Sequence, residues 1–383
     1  MSDVVGQLDF VADHMPIVGG IGQRFAVERP FDGLTLGVRI HVEPKTAVLL
    51  RVLRDGGARV VALGNKGTTD DDVAAVLRTE GIEVLGARTD DDATLQTHLS
   101  ALAAADPELL LDNGAEVLSL LAERGQSLRG ATEETTSGAF TLRGPLKGKL
   151  SFPVIVINDS PLKAIVENKH GVGQSVIETI RLATNALMQR RRIVVLGYGW
   201  CGRGIALYGR AVGADVVVVE PDGVKALEAA IDGFAVSDLG DELGRGDIFI
   251  TATGAERVIT VDHMAAMKTN ALLANAGHFD TEIDVVALRA EAGQVKSRGA
   301  NIQQFSLANG NAIDLIAEGK MVNLAVEGSR GNSIEIMDLG FSLQALSLER
   351  IALDEGSLRP GDQPVPADID DTVARAMVAE MMR

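Results

Sequence analysis

One cysteine, one tryptophan and two tyrosines stand among 383 residues. A single thiol, Cys201, cannot close an intramolecular disulfide, which excludes a small secreted fold stapled by cystines. Positive charge is also scarce, 36 Lys and Arg against 53 Asp and Glu, a net charge of -17. Such a surface repels phosphate backbones and anionic lipid, so neither nucleic acid nor a membrane is expected as a partner. No uncharged apolar run approaches the roughly 20 residues that span a bilayer. The start, MSDVVGQLDF, has neither the basic region nor the apolar run of a signal peptide, and a cytoplasmic location is expected. No metal-ligand spacing stands out, and no metal is expected.

What the chain does have is core. Hydrophobic residues make up 46% and charged residues 23%, enough for more than one domain. After a polar opening, LTLGVRI at 34–40 reads as a buried strand, and 44–53 has helical spacing. The alternation continues through ARVVAL, DDDVAAVLRTEG, IEVLGA, a helical stretch at 91–104 and ELLLD at 108–112. Alternating apolar strands and helices predict an α/β fold with a parallel, doubly wound sheet. The Thr-, Gly- and Pro-rich segment 130–161 reads as loop plus one strand, FPVIVIN. A helical pattern at 174–190 leads through three arginines into a second series: IVVLG, ADVVVVE, DIFITATG, ALLANAG and a strand-like MVNLA. Two Rossmann-like lobes are therefore expected: a substrate domain at 1–170, a dinucleotide-binding domain at 171–331, and a segment 332–383 that returns to the first.

Gly197-Tyr198-Gly199-Trp200-Cys201-Gly202 satisfies G-x-G-x-x-G between a strand and a helix. The first glycine makes the turn, the second lets backbone approach a pyrophosphate, and the third allows close helix packing. Glu220 closes the next strand, where a carboxylate accepts from ribose hydroxyls and repels a 2′-phosphate, favouring NAD over NADP. Cys201 reads as a small packed residue rather than a nucleophile. In the first lobe, polar residues follow successive strands: His41, then Asp112 and Asn113, Glu133 and Glu134, and finally Asn158, Asp159, Lys163, Glu167 and Asn168. Each has a bland alternative, such as an i,i+4 helix pair for Lys163 and Glu167. Together they lie where open α/β sheets bind ligands. A lysine beside carboxylates can deprotonate a hydroxyl while a nicotinamide removes hydride from the same carbon.

ATEETTSG, VINDSPLKAIVEN, SVIETIRLATNALM, GYGWCGRGIA with VVVVEPD, IFITATG, NAGHFDTEID and LIAEGKMVNLA together resemble the S-adenosylhomocysteine hydrolase family over most of the chain. The resemblance implies a tightly held NAD and a nucleoside substrate. It also implies a homodimer or homotetramer. In the reaction it implies, the 3′-hydroxyl is oxidised to a ketone, a thiolate leaves from 5′, water adds, and the ketone is reduced back. By position, Lys163 corresponds to the lysine that deprotonates the 3′-hydroxyl, Glu134 to the glutamate on the ribose hydroxyls, and His41 to the histidine near 5′. Asn168 corresponds to the asparagine near the nicotinamide, and His278 to the histidine of GHFD. Thr135, Thr136, Thr253 and Asn323 correspond to cofactor contacts, with Gly254, Asn275 and Gly277 in the matching segments. Six departures stand out. Asp112-Asn113 replaces an aspartate pair, Glu167 replaces the lysine-paired aspartate, and Val172 replaces a cysteine. EGSRGNSIEI replaces the GHPSF gate, and the family's final tail, whose lysine and tyrosine reach the neighbouring protomer's NAD, has no counterpart. In His41-Val42-Glu43-Pro44-Lys45-Thr46-Ala47, the segment that reads the base, Lys45 is a donor where the family has an acceptor, leaving the base open. Three functions remain: hydrolysis of a nucleoside thioether, a nucleoside 3′-oxidoreductase or epimerase favoured by Asn113, and an inactive NAD-binding homologue, which would have no need of Lys163.

Overall fold

Strands that are apolar on both faces need helices on both sides, and a parallel sheet with crossover helices provides that cover. The computed structural model describes residues 2–277, 280–354 and 356–383. Its chain divides into two units, Met1–Ala164 with Ile334–Arg383, and Ile165–Ser333. The first holds β1 (Thr35–Arg39), β2 (Arg59–Leu63), β3 (Glu83–Leu85), β4 (Leu109–Asp112), β5 (Gly130–Glu133) and β6 (Pro153–Val156). The second holds β7 (Arg192–Leu196), β8 (Asp215–Val219), β9 (Ala235–Val236), β10 (Ile248–Thr251), β11 (Ala271–Asn275), β12 (Gln294–Ser297), β13 (Ile302–Ser306) and β14 (Ala312–Ile316). The last strand, β15 (Gly361–Pro364), rejoins the first sheet beside β6.

The strand orders are β15-β6-β5-β4-β1-β2-β3 and β12-β13-β14-β11-β10-β7-β8-β9. The first sheet is parallel throughout, whereas β13 is antiparallel to both β12 and β14. In each unit the winding reverses at one place, between β1 and β4 and between β7 and β10, and this opens a crevice at the strands' carboxyl ends. Val61, Leu110, Ala131 and Val154 share one core, and Val195, Val218, Ile250 and Ala274 share another.

Several expectations are corrected. The polar opening forms two helices, Ser2–Asp13 and Pro16–Glu28, whose Leu8, Val11, Val18 and Phe25 are buried. Segment 130–161 contains β5 and the helix Thr136–Arg143 before β6. The four residues of β5 lack a large apolar side chain yet are all buried, which hides the strand from a reading based on hydrophobicity. MVNLA is not a strand; Val322–Ala325 is a short helix, and the strand lies earlier, in β14. The helical pattern at 174–190 ends at Thr184, where Asn185 turns left-handed with φ 48°. The two compact units divide at Ala164/Ile165, inside a helix, where no turn residue marks the place.

Within the second unit the helix Val172–Thr184 crosses the helix Trp200–Ala211 with backbone nearly touching. A Cβ on Gly204 would lie 1.7 Å from the Lys169 carbonyl oxygen, and one on Gly173 would lie 2.4 Å from the Gly204 carbonyl carbon. Gly204→Ala therefore forces the helices apart and should destabilise the unit by about 1–3 kcal/mol, the usual cost of overpacking. Differential scanning calorimetry would read this as a lowered midpoint; an unchanged midpoint would mean the crossing is not tight.

Candidate active site and cofactor cradle

In the first unit the loops after β1, β4, β5 and β6 carry the polar residues, and buried carboxylates hold two of these loops in place. Asp112, fully buried at the end of β4, accepts from the backbone N–H of Asn113 at 2.9 Å and of Leu118 at 2.8 Å. Glu133, at the end of β5, accepts from the N–H of Gly114 and Ala115, both at 2.9 Å, and from the N–H and hydroxyl of Thr135, both at 2.7 Å. Burial pushes both carboxyls up, and for Glu133 the neighbouring Asp112 charge adds to it, while the backbone donors pull the other way. A Cβ on Gly138 would come within 2.1 Å of the Glu133 carboxyl carbon, so that glycine is required. Thr135 caps the next helix by accepting from Gly138 N–H, and the exposed Thr136 donates to Asn158 at 3.1 Å.

Glu134, the next residue, is buried and takes donors on both oxygens. Lys163 Nζ donates to Oε1 at 2.9 Å, and Gln344 Nε2 donates to Oε2 at 3.0 Å. The lysine is itself buried, so it is not the solvated helix-face residue of the bland reading. After β1, His41 Nδ1 lies 2.7 Å from the Thr68 hydroxyl, and the Thr46 hydroxyl donates to the His41 carbonyl. Glu43 caps the helix Pro44–Asp55, and its Oε2 lies 3.1 Å from Lys45 Nζ, whose side chain is 8% exposed. Asn113 is buried beside Asp112 at the winding reversal. Lys163 opens a π-helix, Lys163–Gly171, of the rare kind often found at functional sites. Glu167 and Asn168 lie further along it and belong to the second unit.

The second unit builds its loop as the glycine pattern predicts. Gly197 has φ 98°, and a Cβ there would meet the Ala252 carbonyl oxygen at 2.7 Å. A Cβ on Gly202 would lie 2.0 Å from the Gly197 oxygen, whereas one on Gly199 would meet nothing within 4 Å. The first and third glycines thus serve the protein's own packing, and the second leaves open space at the start of the helix Trp200–Ala211, where a pyrophosphate fits. The half-exposed Trp200 stacks on the Arg203 guanidinium, 4.7 Å from its ring, and Cys201 is partly buried beside it. Glu220 receives Tyr198 N–H at 2.7 Å and Asp222 N–H at 3.0 Å, which fixes its carboxylate beside the glycine loop.

Beside this cradle, the fully buried Glu282 accepts from Thr253 N–H and hydroxyl at 2.9 and 2.8 Å and from Gly254 N–H at 2.8 Å. Asn275 accepts from the Thr251 hydroxyl and Gly277 N–H, and donates to the Gly319 carbonyl. Asn323 donates to Ser175 at 3.0 Å, and its side-chain oxygen is buried without a partner among the described residues. An orphaned acceptor near a dinucleotide loop suits a carboxamide N–H, so these residues fit NAD. His278 lies outside the described residues. Glu282 and Gln344 were not singled out from sequence. Glu282 sits inside NAGHFDTEID, so its signal was present, whereas nothing in SLQALSLERIAL distinguishes Gln344 from a surface residue.

Comparisons with known proteins find relatives along nearly the whole chain. Residues 168–329 match the family profile described as S-adenosyl-L-homocysteine hydrolase, NAD binding domain, and residues 6–127 match that of S-adenosyl-L-homocysteine hydrolase. The S-inosyl-L-homocysteine hydrolase of Methanopyrus kandleri is 42% identical over 98% of this chain and 89% of its own length. The adenosylhomocysteinases of Thermococcus kodakarensis and Archaeoglobus fulgidus are each 41% identical over 98% of this chain, covering 90% and 93% of their lengths. A dipicolinate synthase chain from Bacillus halodurans shares the fold, with a TM-score of 0.53 at 15% identity over 84% of this chain and 99% of that one. Among the described residues no helix is long and apolar enough to cross a membrane.

We propose that Glu220 makes the cradle selective for NAD over NADP. Calorimetry should show NAD binding well ahead of NADP, and Glu220→Ala should weaken NAD while narrowing that gap. Equal affinities in the parent protein would remove Glu220 from this role.

Proposed function

The chain belongs to the S-adenosyl-L-homocysteine hydrolase family, and from that premise we propose that it uses bound NAD to cleave, reversibly, the 5′-thioether of an S-nucleosylhomocysteine whose base is a 6-oxopurine. The observation that carries the reading is the buried Lys163–Glu134 pair after the strands of the first unit, in a chain whose second unit cradles a dinucleotide. Bound NAD supplies an acceptor for the C3′ hydride and returns it at the end. Lys163 takes the 3′-hydroxyl proton, and Glu134 steadies the resulting ammonium and accepts from the ribose hydroxyls. The 3′-ketone acidifies the C4′–H; His41 takes that proton and delivers it to the departing sulfur, so a C4′=C5′ double bond forms as homocysteine leaves C5′ as a thiol. Water then adds at C5′ before the ketone is reduced.

On the leaving side, His41 handles the proton. Asn113 orients water or a hydroxyl, because an amide cannot shuttle a proton at neutral pH. Asp112 positions that loop, both its oxygens being occupied by backbone N–H. By resemblance alone, Glu167, Asn168 and His278 complete the set, and Thr135, Thr136, Thr253 and Asn323 correspond to cofactor contacts. Lys45 stands where an acceptor for adenine's amino group is expected, and the complement of a buried donor is a carbonyl oxygen. Hypoxanthine offers O6 to Lys45 and its N1–H to Glu43, and the Methanopyrus kandleri relative is named for the inosyl thioether.

Purified protein given S-inosylhomocysteine or S-adenosylhomocysteine should release thiol, with kcat/KM favouring the inosyl compound by about tenfold or more, as expected for a hydrogen bond to a charged group. Lys45→Glu should shift that preference toward adenosine; an unchanged ratio would detach Lys45 from base reading. Bound NADH without thiol release would identify a 3′-oxidoreductase instead.

Lys163→Gln keeps a donor for Glu134 but cannot take up a proton. Formation of bound NADH from a nucleoside should fall by about a hundredfold or more with little change in the thermal midpoint. NADH formed at the parent rate would make Lys163 structural.

A further inference from the structure

A carboxylate that must both hold substrate hydroxyls and face a proton-accepting lysine needs its plane fixed, since the terminal torsion of glutamate is broad and close to two-fold. We infer that Gln344, on the helix Ile334–Ala352, is the positioning residue that fixes Glu134 against Lys163; the inference rests on the reaction proposed above. Gln344 is 0% exposed on a helix face that buries Phe341, Leu343, Ala345 and Leu348. Its amide nitrogen donates to Glu134 Oε2 at 3.0 Å, on the oxygen opposite the one that Lys163 reaches. A carboxylate has nothing to donate, so this contact determines which way the amide points.

The amide oxygen of Gln344 is buried with no partner among the described residues. Leaving it so is unfavourable, and a leucine at this place would avoid the penalty. The charge-assisted bond to Glu134 is what the glutamine provides in return. With one donor on each oxygen, Glu134 keeps a second lone pair on each for a hydroxyl of the ribose. Without Gln344, the carboxylate is free to turn both oxygens to the lysine, which would hold the proton on Lys163 and withdraw the acceptors from the substrate. The helix that supplies Gln344 follows the second unit in sequence and returns to the first, so the pair is completed by a segment far from either member.

The full-length, NAD-loaded protein tests this through Gln344→Leu and Gln344→Glu. With inosine as the probe, Gln344→Leu should form bound NADH about ten- to a hundredfold more slowly, the range for losing a hydrogen bond to a charged group, with NAD affinity unchanged by calorimetry. Gln344→Glu, which preserves shape, should lose NADH formation at neutral pH and regain it relative to the parent as pH falls. A protonated carboxyl can donate to Glu134 as the amide did, whereas an ionised one beside Glu134 and Lys163 cannot. Parent-rate NADH formation in either variant, or loss in Gln344→Glu without recovery at low pH, would overturn the inference. If Gln344→Leu fails to fold, the isosteric variant decides. A parent protein that forms no NADH with inosine or adenosine would instead refute the reaction, leaving the two failures distinct.

Discussion

Backbone N–H groups turned inward at the ends of parallel strands need acceptors, because an inward-facing unpaired donor is costly. In both units the acceptor is a fully buried glutamate. Glu133 gathers Gly114, Ala115 and Thr135, and Glu282 gathers Thr253 and Gly254. Each joins the loop after one central strand to a neighbouring loop, and each needs a glycine beside it. A Cβ on Gly138 would strike Glu133, and one on Gly277 would lie 1.6 Å from Glu282. Removing either carboxylate would take the partner from several loop N–H groups at once, which is why the polar loops depend on these residues more than on any surface ion pair.

The loops so held flank the places where winding reverses. His41 follows β1 and Asn113 follows β4, while the glycine loop follows β7 and Thr253 follows β10. Both units therefore share the central order β6-β5-β4-β1-β2-β3 and β14-β11-β10-β7-β8-β9, and around the reversal they differ in loop chemistry. In one, glycines and a helix N-terminus leave room for a dinucleotide; in the other, a histidine, an amide and a lysine–carboxylate pair lie at the strand ends, where the proposed reaction places a sugar.

How much of this was legible depends on where the information resides. The doubly wound class, most strands of both series and the glycine loop follow from local pattern, since a strand buried on both faces is usually apolar in its own sequence. β5 was not legible, because Gly-Ala-Thr-Glu owes its burial to neighbours on both sides and not to its own hydrophobicity. The antiparallel strands β12 and β13 escaped for the converse reason: β12 is exposed along its whole length and carries no apolar signal. Gln344 was invisible for a third reason. Its partner, Glu134, is 210 positions away, and a glutamine in an apolar helix reads as ordinary until the fold places a carboxylate against it.

Asp112 and Asn113 show how geometry changes the weight of a sequence departure. From sequence, Asp112 remains a candidate to supply the carboxylate that Asn113 lacks. In the fold its oxygens are held by the N–H groups of Asn113 and Leu118, and it has no exposure to solvent. A carboxylate so occupied shapes the loop and is poorly placed to exchange protons with a substrate. Under the proposed reaction the proton on the leaving side therefore falls to His41, whose ring already bonds the Thr68 hydroxyl and can pass a proton without a neighbouring aspartate. Asn113 then keeps the role an amide can perform, orienting the water that adds at C5′, and the missing carboxylate alters which group moves the proton without removing the means to move it.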